Sequence, residues 1–269
     1  MNECCICCPL LNAGKYLNDI LSNMIKLATN VFDDYRIVLY YENSQDNTID
    51  IILRHLANKK ITLIINETYK SKREKRHNLA YARNKLLEYV RNNCSNMEYM
   101  IMMDANEMTS SSVNPQILKK HLERKDWDSL TFTWKGEYKD IWSLSMRHLA
   151  LSVWKTSQPD NFQRYADDIR EKIQTCEPGE LVGVFSAFNG LCIYRLKLFI
   201  DSSYDGLPRN DLLPLFIIGN TKSIVGKEQP YYWKKEGEEE QDSEHRAFHH
   251  YAKFVNNAKI RISPASLFT

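Results

Sequence analysis

Glu98 to Met108 reads EYMIMMDANEM, an apolar run closed by an acidic residue, an alanine and a second oxygen-bearing side chain. Met100 to Met103 are too apolar to face water, so the run predicts a buried central strand that presents Asp104 and Asn106 to solvent at its carboxyl end. Oxygen ligands at i and i+2, where a parallel sheet opens, suit a hard divalent cation bridging two phosphates. A strand followed by a turn with an asparagine gives the same string, so the flanking sequence has to decide.

Working outward, the first 110 residues alternate short apolar runs with helical periodicity. CCICC is followed by Leu17, Ile20, Leu21 and Met24; RIVLYY by Ile49, Ile52, Leu53 and Leu56; ITLII by Leu79, Leu86, Leu87 and Val90; and YMIMM closes the series. This βαβαβαβ pattern, with right-handed crossovers, predicts an α/β fold: a mainly parallel, Rossmann-like sheet flanked by helices. Ligands bind such a sheet at the carboxyl ends of its strands, which points to the polar loops Pro9 to Lys15, Glu42 to Thr48, Asn66 to His77 and Asp104 to Thr109.

Beyond residue 110 the alternation loosens. A helix is expected near Pro115 to Glu123, a strand at SLTFTW and a helix around Asp160 to Thr175. GVFSAFNGLCIYRL reads as a strand, a tight turn and a second strand or helix start. EHRAFHHYAKFV reads as a helix, from Phe248, Tyr251 and Val255 at three- and four-residue spacing, with Ser243 as its N-cap. Lys227 to Ser243, with Pro230, Gly237 and three consecutive glutamates, reads as a solvated loop. With neither repeat nor linker, residues 1–269 are expected to form one domain.

The chain's 269 residues, 43% hydrophobic and 26% charged, suffice for a full core. A net charge of +2 from nearly balanced acids and bases argues against a nucleic-acid partner or a polybasic membrane protein. No apolar run approaches the roughly 20 residues of a transmembrane segment, and the start lacks a basic secretory region, so a cytoplasmic location is expected. The cluster Cys4, Cys5, Cys7 and Cys8 invites a zinc reading. On a strand, however, Cys5 and Cys7 face away from Cys4 and Cys8, so buried reduced thiols are expected instead. In a secreted protein, Asn66-Glu67-Thr68 and Asn93-Cys94-Ser95 would be glycosylation acceptors.

YENSQDNTIDIILRHL places Glu42 at a strand end, Asp46 as an N-cap candidate and Thr48 in the first helical turn. Capping alone would explain Asp46. Yet the series of strand, acidic residue, Ser, Asp and Thr resembles the second-strand motif of glycosyltransferases of the A fold. NLAYARNKLLEYV resembles their helix carrying Ala-Arg-Asn, and MDANEM stands where their Asp-x-Asp lies. DIWSL, SAFNGLCIY and EHRAFHHYAKFVNNAKIRISP follow in the order seen in fungal capsule-associated mannosyltransferases and in glycosyltransferase-like sequences of large DNA viruses. Each motif is short; their order and spacing over most of the chain carry the resemblance.

The resemblance implies metal-assisted transfer, with Mn²⁺ or Mg²⁺, from a UDP- or GDP-linked nucleotide-sugar to a glycan or glycoprotein acceptor, in the host cytoplasm if the protein is viral. It makes residues 1–110 a nucleotide-binding half and 111–269 an acceptor-binding half. Asn12, Glu42 and Asp46 would serve the nucleoside side, Arg83 the diphosphate, and Asp104 with Asn106 the metal. A guanidinium suits a pyrophosphate through paired, charge-assisted hydrogen bonds, whereas an exposed helix arginine paired with Glu88 is the structural alternative. Glu244 and His245 match a Glu-His pair near the family's carboxyl end, with His245 completing the metal sphere or contacting phosphate. His249 lies one helical turn from His245, a spacing able to bind metal.

The family pattern carries Asp where this chain has Asn106, so the cation loses one negative charge unless Glu107 supplies it. Asp140 and Trp142 offer a carboxylate and an indole face to an acceptor sugar, or form a solvated acid beside a packed ring. Asn189 and Gly190 bring backbone close to the donor sugar or satisfy a positive-φ turn. In an inverting transfer Asp140, Asp211 or Glu244 would take the acceptor proton; in a retaining one, as the capsule set suggests, a leaving phosphate would. Tyr231, Tyr232 and Trp233 in the charged loop suggest a lid over the donor. Two rivals remain at this point: a sugar-nucleotidyltransferase, disfavoured by the single Gly14 after the first strand, and a non-catalytic glycan- or partner-binding relative marked by Asn106.

Overall fold

A computed structural model of the chain describes residues 2–66, 75–147, 150, 159–219 and 241–269. The proposed lid, with Tyr231, Tyr232 and Trp233, falls outside the described residues.

The strands β1 (Glu3–Leu10), β2 (Asp34–Tyr41), β3 (Ile61–Ile65) and β4 (Tyr99–Met103) alternate with the helices α1 (Leu17–Val31), α2 (Thr48–His55) and α3 (Lys75–Asn93). These four strands pair in parallel in the order β3, β2, β1, β4, as the periodicity predicts. α1 forms because its apolar residues recur on one face, where Leu17, Ile20, Leu21, Met24, Leu27 and Val31 are all buried. It meets the sheet face that carries Cys4, Ile6, Cys8, Ile101 and Met103. Cys5, Cys7, Met100 and Met102 point the other way, onto Leu86, Leu87 and Val90 of α3. The cysteines thus divide between two cores, as strand alternation requires.

Then come α4 (Glu107–Ser110), α5 (Pro115–Leu122), β5 (Ser129–Trp134), α6 (Pro159–Gln174), β6 (Val182–Val184), β7 (Leu191–Arg195), α7 (Glu244–Phe254) and β8 (Ile260–Phe268). All eight strands join one mixed sheet, ordered β3-β2-β1-β4-β7-β5-β8-β6. The strand, tight turn and second strand or helix start expected in GVFSAFNGLCIYRL appear as two strands, β6 and β7, that do not pair with each other. β7 lies antiparallel between β4 and β5, whereas β6 pairs only with β8 at the far edge. β8, which periodicity left unassigned, runs parallel to β5 with irregular register beyond Phe132. Ser243 occupies the N-cap position of α7, but its hydroxyl makes no capping bond. Among the described residues no helix is long and apolar enough to cross a membrane.

Candidate functional site

Asp104 is the first residue beyond β4, so the parallel half of the sheet delivers it to the strands' carboxyl edge. Its backbone is fixed from two sides: the NH donates to Gly190 O at 2.8 Å, and Thr109 Oγ1 donates to Asp104 O at 2.5 Å. Gly190 has φ +74°, and a Cβ there would stand 3.0 Å from Met108 Sδ, so this approach needs glycine. Asn106 caps α4 reciprocally: its Oδ1 accepts from Thr109 N at 3.2 Å, and Thr109 Oγ1 accepts from Asn106 N at 3.3 Å. The asparagine is therefore a helix cap as well as a pocket residue.

Arg83, on α3, is 1% exposed. Its Nη2 donates to Asp104 Oδ1 at 2.7 Å and its Nε to Glu244 Oε1 at 3.0 Å. The guanidinium also lies 5.1 Å from the centre of the Phe188 ring. Burial works against its charge, but Asp104 and Glu244 more than offset that and raise its pKa. Glu88, the partner in the exposed-arginine alternative, pairs with Lys85 instead.

These groups line a cavity of about 300 Å³, which also brings together Asn106, Asp140, Asn189, Gly190 and His245 from the sequence-derived set. Asn189 organises one wall, its Oδ1 accepting from Lys139 N at 3.0 Å and Asp140 N at 3.3 Å, and its Nδ2 donating to Phe132 O at 2.9 Å. Asp140 caps a short 3-10 turn, Ile141–Ser143. Burial pushes its carboxyl up to about 7; Ser143 and Arg76 oppose the rise, while Glu244 and Asp104 add to it.

Glu244 is 1% exposed, and Arg76 Nη1 stands 3.7 Å from its Oε2. With Arg83 on its other oxygen it holds cations in place and is not free to serve as the base. His245 stacks on Phe188, with ring centres 3.7 Å apart and an interplanar angle of 15°. Burial, then Arg83, pushes its pKa well below that of an ordinary histidine, so the ring is neutral. His249 does not join it as a ligand, because its nitrogens meet Ser186 Oγ at 2.9 Å and Tyr194 OH at 3.1 Å.

Other expected residues lie outside this cavity's lining. Trp142 packs half-buried against the core. Asp211 is exposed and paired with Arg209 at 2.8 and 2.7 Å, which holds its carboxyl below the usual range. Asn12, Glu42 and Asp46 sit in the loops after β1 and β2, at the same carboxyl edge of the sheet. There Asn12 Oδ1 accepts from Gln45 N and Asp46 Oδ2 from Gly14 N, each at 2.8 Å, so the two loops are knitted together. Arg76, Lys139, Phe188, Leu79 and Met108 line the pocket although the sequence reading gave none of them a role at the site. Arg76 lies in the polar loop Asn66 to His77 that the strand pattern had marked, whereas Lys139 lies outside the marked loops, and nothing local separates either from ordinary surface cations.

Residues 5–190 match the family described as glycosyl transferase family 2. The chain belongs to that family. Its sheet, helix-flanked and opening at Asp104, is the family's A-type fold. Among solved structures, Staphylococcus aureus TarS 1-349 is similar at 15% identity and a TM-score of 0.48, over 99% of this chain and 59% of that one. The Pyrobaculum calidifontis mannosyltransferase PcManGT, solved with GDP-Man and Mn²⁺, is similar at 13% and 0.44, over 75% of this chain and 47% of that one. Glucosyl-3-phosphoglycerate synthase from Mycobacterium tuberculosis, solved with UDP, gives 10% and 0.42, over 74% and 58%. The chain thus spans less than two thirds of each. No curated protein matches it.

The pocket can be tested for a divalent ion by its donors. Asp104 Oδ1 is engaged by Arg83 and Asn106 Oδ1 by Thr109, which leaves Asp104 Oδ2 and one lone pair on the amide oxygen. Among the described residues no group of three or more His, Cys, Asp or Glu gathers as a metal cage. Two oxygens fit Mn²⁺ or Mg²⁺ where phosphates and water complete the sphere, the usual arrangement for a nucleotide-bound ion.

Proposed function

We propose that this protein transfers a sugar from a UDP- or GDP-linked nucleotide-sugar to a hydroxyl of a glycan or glycoprotein. The observation that carries the reading is the ion-pair chain Asp104–Arg83–Glu244, whose buried Arg83 and Glu244 fix a half-buried acidic group at the carboxyl end of a central parallel strand, inside a pocket bearing two further cations. Residues 1–110 take the nucleotide, with Asn12, Glu42 and Asp46 toward the nucleoside, and residues 111–269 supply the acceptor side, with Asp140 facing the reacting hydroxyl.

Arg83 spends its charge on two carboxylates, so it positions Asp104, and Arg76 with Lys139, each held by a single glutamate (Glu244 and Glu137), would face the diphosphate. Asp104 and Asn106 would hold a divalent ion, which would supply positive charge against the departing diphosphate. His245 is left out of that set because its ring is fixed on Phe188, with Nε2 turned to within 3.6 Å of Glu244 Oε1. Asp140, poised near 7, accepts the acceptor's proton as the hydroxyl oxygen attacks the anomeric carbon, which makes the transfer inverting.

A panel of UDP- and GDP-sugars incubated with Mn²⁺ tests this reading: release of nucleotide from one donor, accelerated by a hydroxyl acceptor, is expected. Nucleotide binding with no turnover on any donor would favour a non-catalytic binding protein.

A further inference from the structure

Four buried polar atoms without a hydrogen-bond partner belong to three residues that line the pocket: Arg83 Nη1, Glu244 Oε2, with Arg76 Nη1 3.7 Å away, and both ring nitrogens of His245. The three side chains are 1 to 2% exposed. The other six such atoms among the described residues belong to six different residues. Native proteins seldom leave buried donors and acceptors unpaired, so such a cluster on the wall of a cavity marks the place of a polar ligand.

The chemistry of the set narrows that ligand. Arg83 Nη1 is a charged donor, Glu244 Oε2 a charged acceptor, and a neutral imidazole offers one donor and one acceptor. Phe188, itself buried, supports the imidazole by stacking on it. A carboxylate or phosphate would satisfy Arg83 but meet Glu244 as a like charge in a desolvated corner. A hydroxyl both accepts and donates, and two adjacent hydroxyls could use Arg83, Glu244 and His245 together.

We infer that Arg83, Glu244 and His245 form a hydroxyl-reading subsite that admits a neutral hexose with adjacent free hydroxyls and rejects a hexuronate. The inference rests on the nucleotide-sugar reading above and adds the class of sugar to it.

Calorimetric titration of the full chain in Mn²⁺ tests it, first with UDP and GDP alone and then with matched donors, UDP-glucose against UDP-glucuronate and GDP-mannose against GDP-mannuronate. For the nucleotide that binds, the neutral donor is expected to bind about tenfold or more tightly than its uronate. Glu244→Gln should narrow that gap, and His245→Ala should weaken the neutral donor while leaving the affinity for free nucleotide within about twofold. The wild-type pair decides the matter even if a variant fails to fold. A uronate that binds as tightly as the neutral sugar overturns the subsite while the nucleotide reading stands. Failure of both UDP and GDP to bind overturns the nucleotide reading itself and the subsite with it.

Discussion

Glu244 accepts a hydrogen bond from Arg83 Nε at 3.0 Å across 161 residues of sequence, and both side chains are almost wholly buried. Because Arg83 also holds Asp104, this one contact ties the start of α7 to the end of β4. The neighbouring Arg246 extends the tie, donating to Leu144 O and Ala150 O while paired with Asp242. The amino end of α7 therefore braces the donor side of the pocket and the segment that follows Asp140.

Breaking the Glu244–Arg83 pair from one side should cost far more than removing it whole. Arg83→Met leaves a buried carboxylate with only the more distant Arg76 and is expected to lower stability by about 3–5 kcal/mol in urea denaturation. Adding Glu244→Gln should recover a large part of that loss. If the two losses simply add in the double variant, the pair is not coupled.

Asp140 gives the pH dependence. As a base it works when ionised, so kcat/KM should rise with pH through an inflection near 7, and Asp140→Asn should remove both the limb and most of the activity. Stability runs the opposite way. A carboxyl raised to about 7 in the fold from an ordinary 3.8 stabilises the protein at low pH, and that stability is lost as pH rises through this window. Asp140→Asn should therefore gain on the wild type above neutrality. A flat profile in active wild type would exclude Asp140 as the base.

The cation is addressed by two changes at the end of β4. Asp104→Ala should abolish Mn²⁺-dependent nucleotide binding, although it also releases one partner of Arg83, so folding is checked by circular dichroism. Asn106→Asp should tighten Mn²⁺, because aspartate caps a helix as well as asparagine and adds the missing charge. An unchanged or weaker Mn²⁺ titration would show that the amide at this position serves α4 alone.

Much of the first half was legible because local periodicity and sheet position agree there. CCICC and YMIMM are apolar on both faces, as strands covered by helices on both sides must be, and loop polarity marked the right edge. The second half resisted because its order is set by distant pairings. Nothing within VGV or LCIYR says that β8 will pair with one and β4 with the other. At the site, Asp104 and Arg83 were each readable from a motif, though not their pairing, whereas Phe188 looks like any core aromatic until His245 is found stacked on it. The capping role of Asn106 was also hidden, because Thr109 lies three residues beyond a motif read for metal.

Asp46 separates a structural role from a binding one. Its carboxylate accepts from Gly14 N at 2.8 Å, Thr48 N at 3.1 Å and Thr48 Oγ1 at 2.5 Å, so it joins the loop after β1 to the first turn of α2, although Asn47 holds the formal N-cap position. Desolvation opposes its charge, but these bonds outweigh it and depress its pKa below 3.8. The stability they supply is present above that value and is lost as pH falls through the depressed pKa. Asp46→Ala should therefore cost about 1 kcal/mol at neutral pH, the usual scale for losing a capping carboxylate, and less at pH 3. It should also weaken nucleotide binding several-fold, because the loops it joins carry Asn12 and Glu42. Chemical denaturation and nucleotide titration on the same variant discriminate: lost stability with unchanged nucleotide affinity would reduce Asp46 to a loop fastener and move the nucleoside contacts elsewhere.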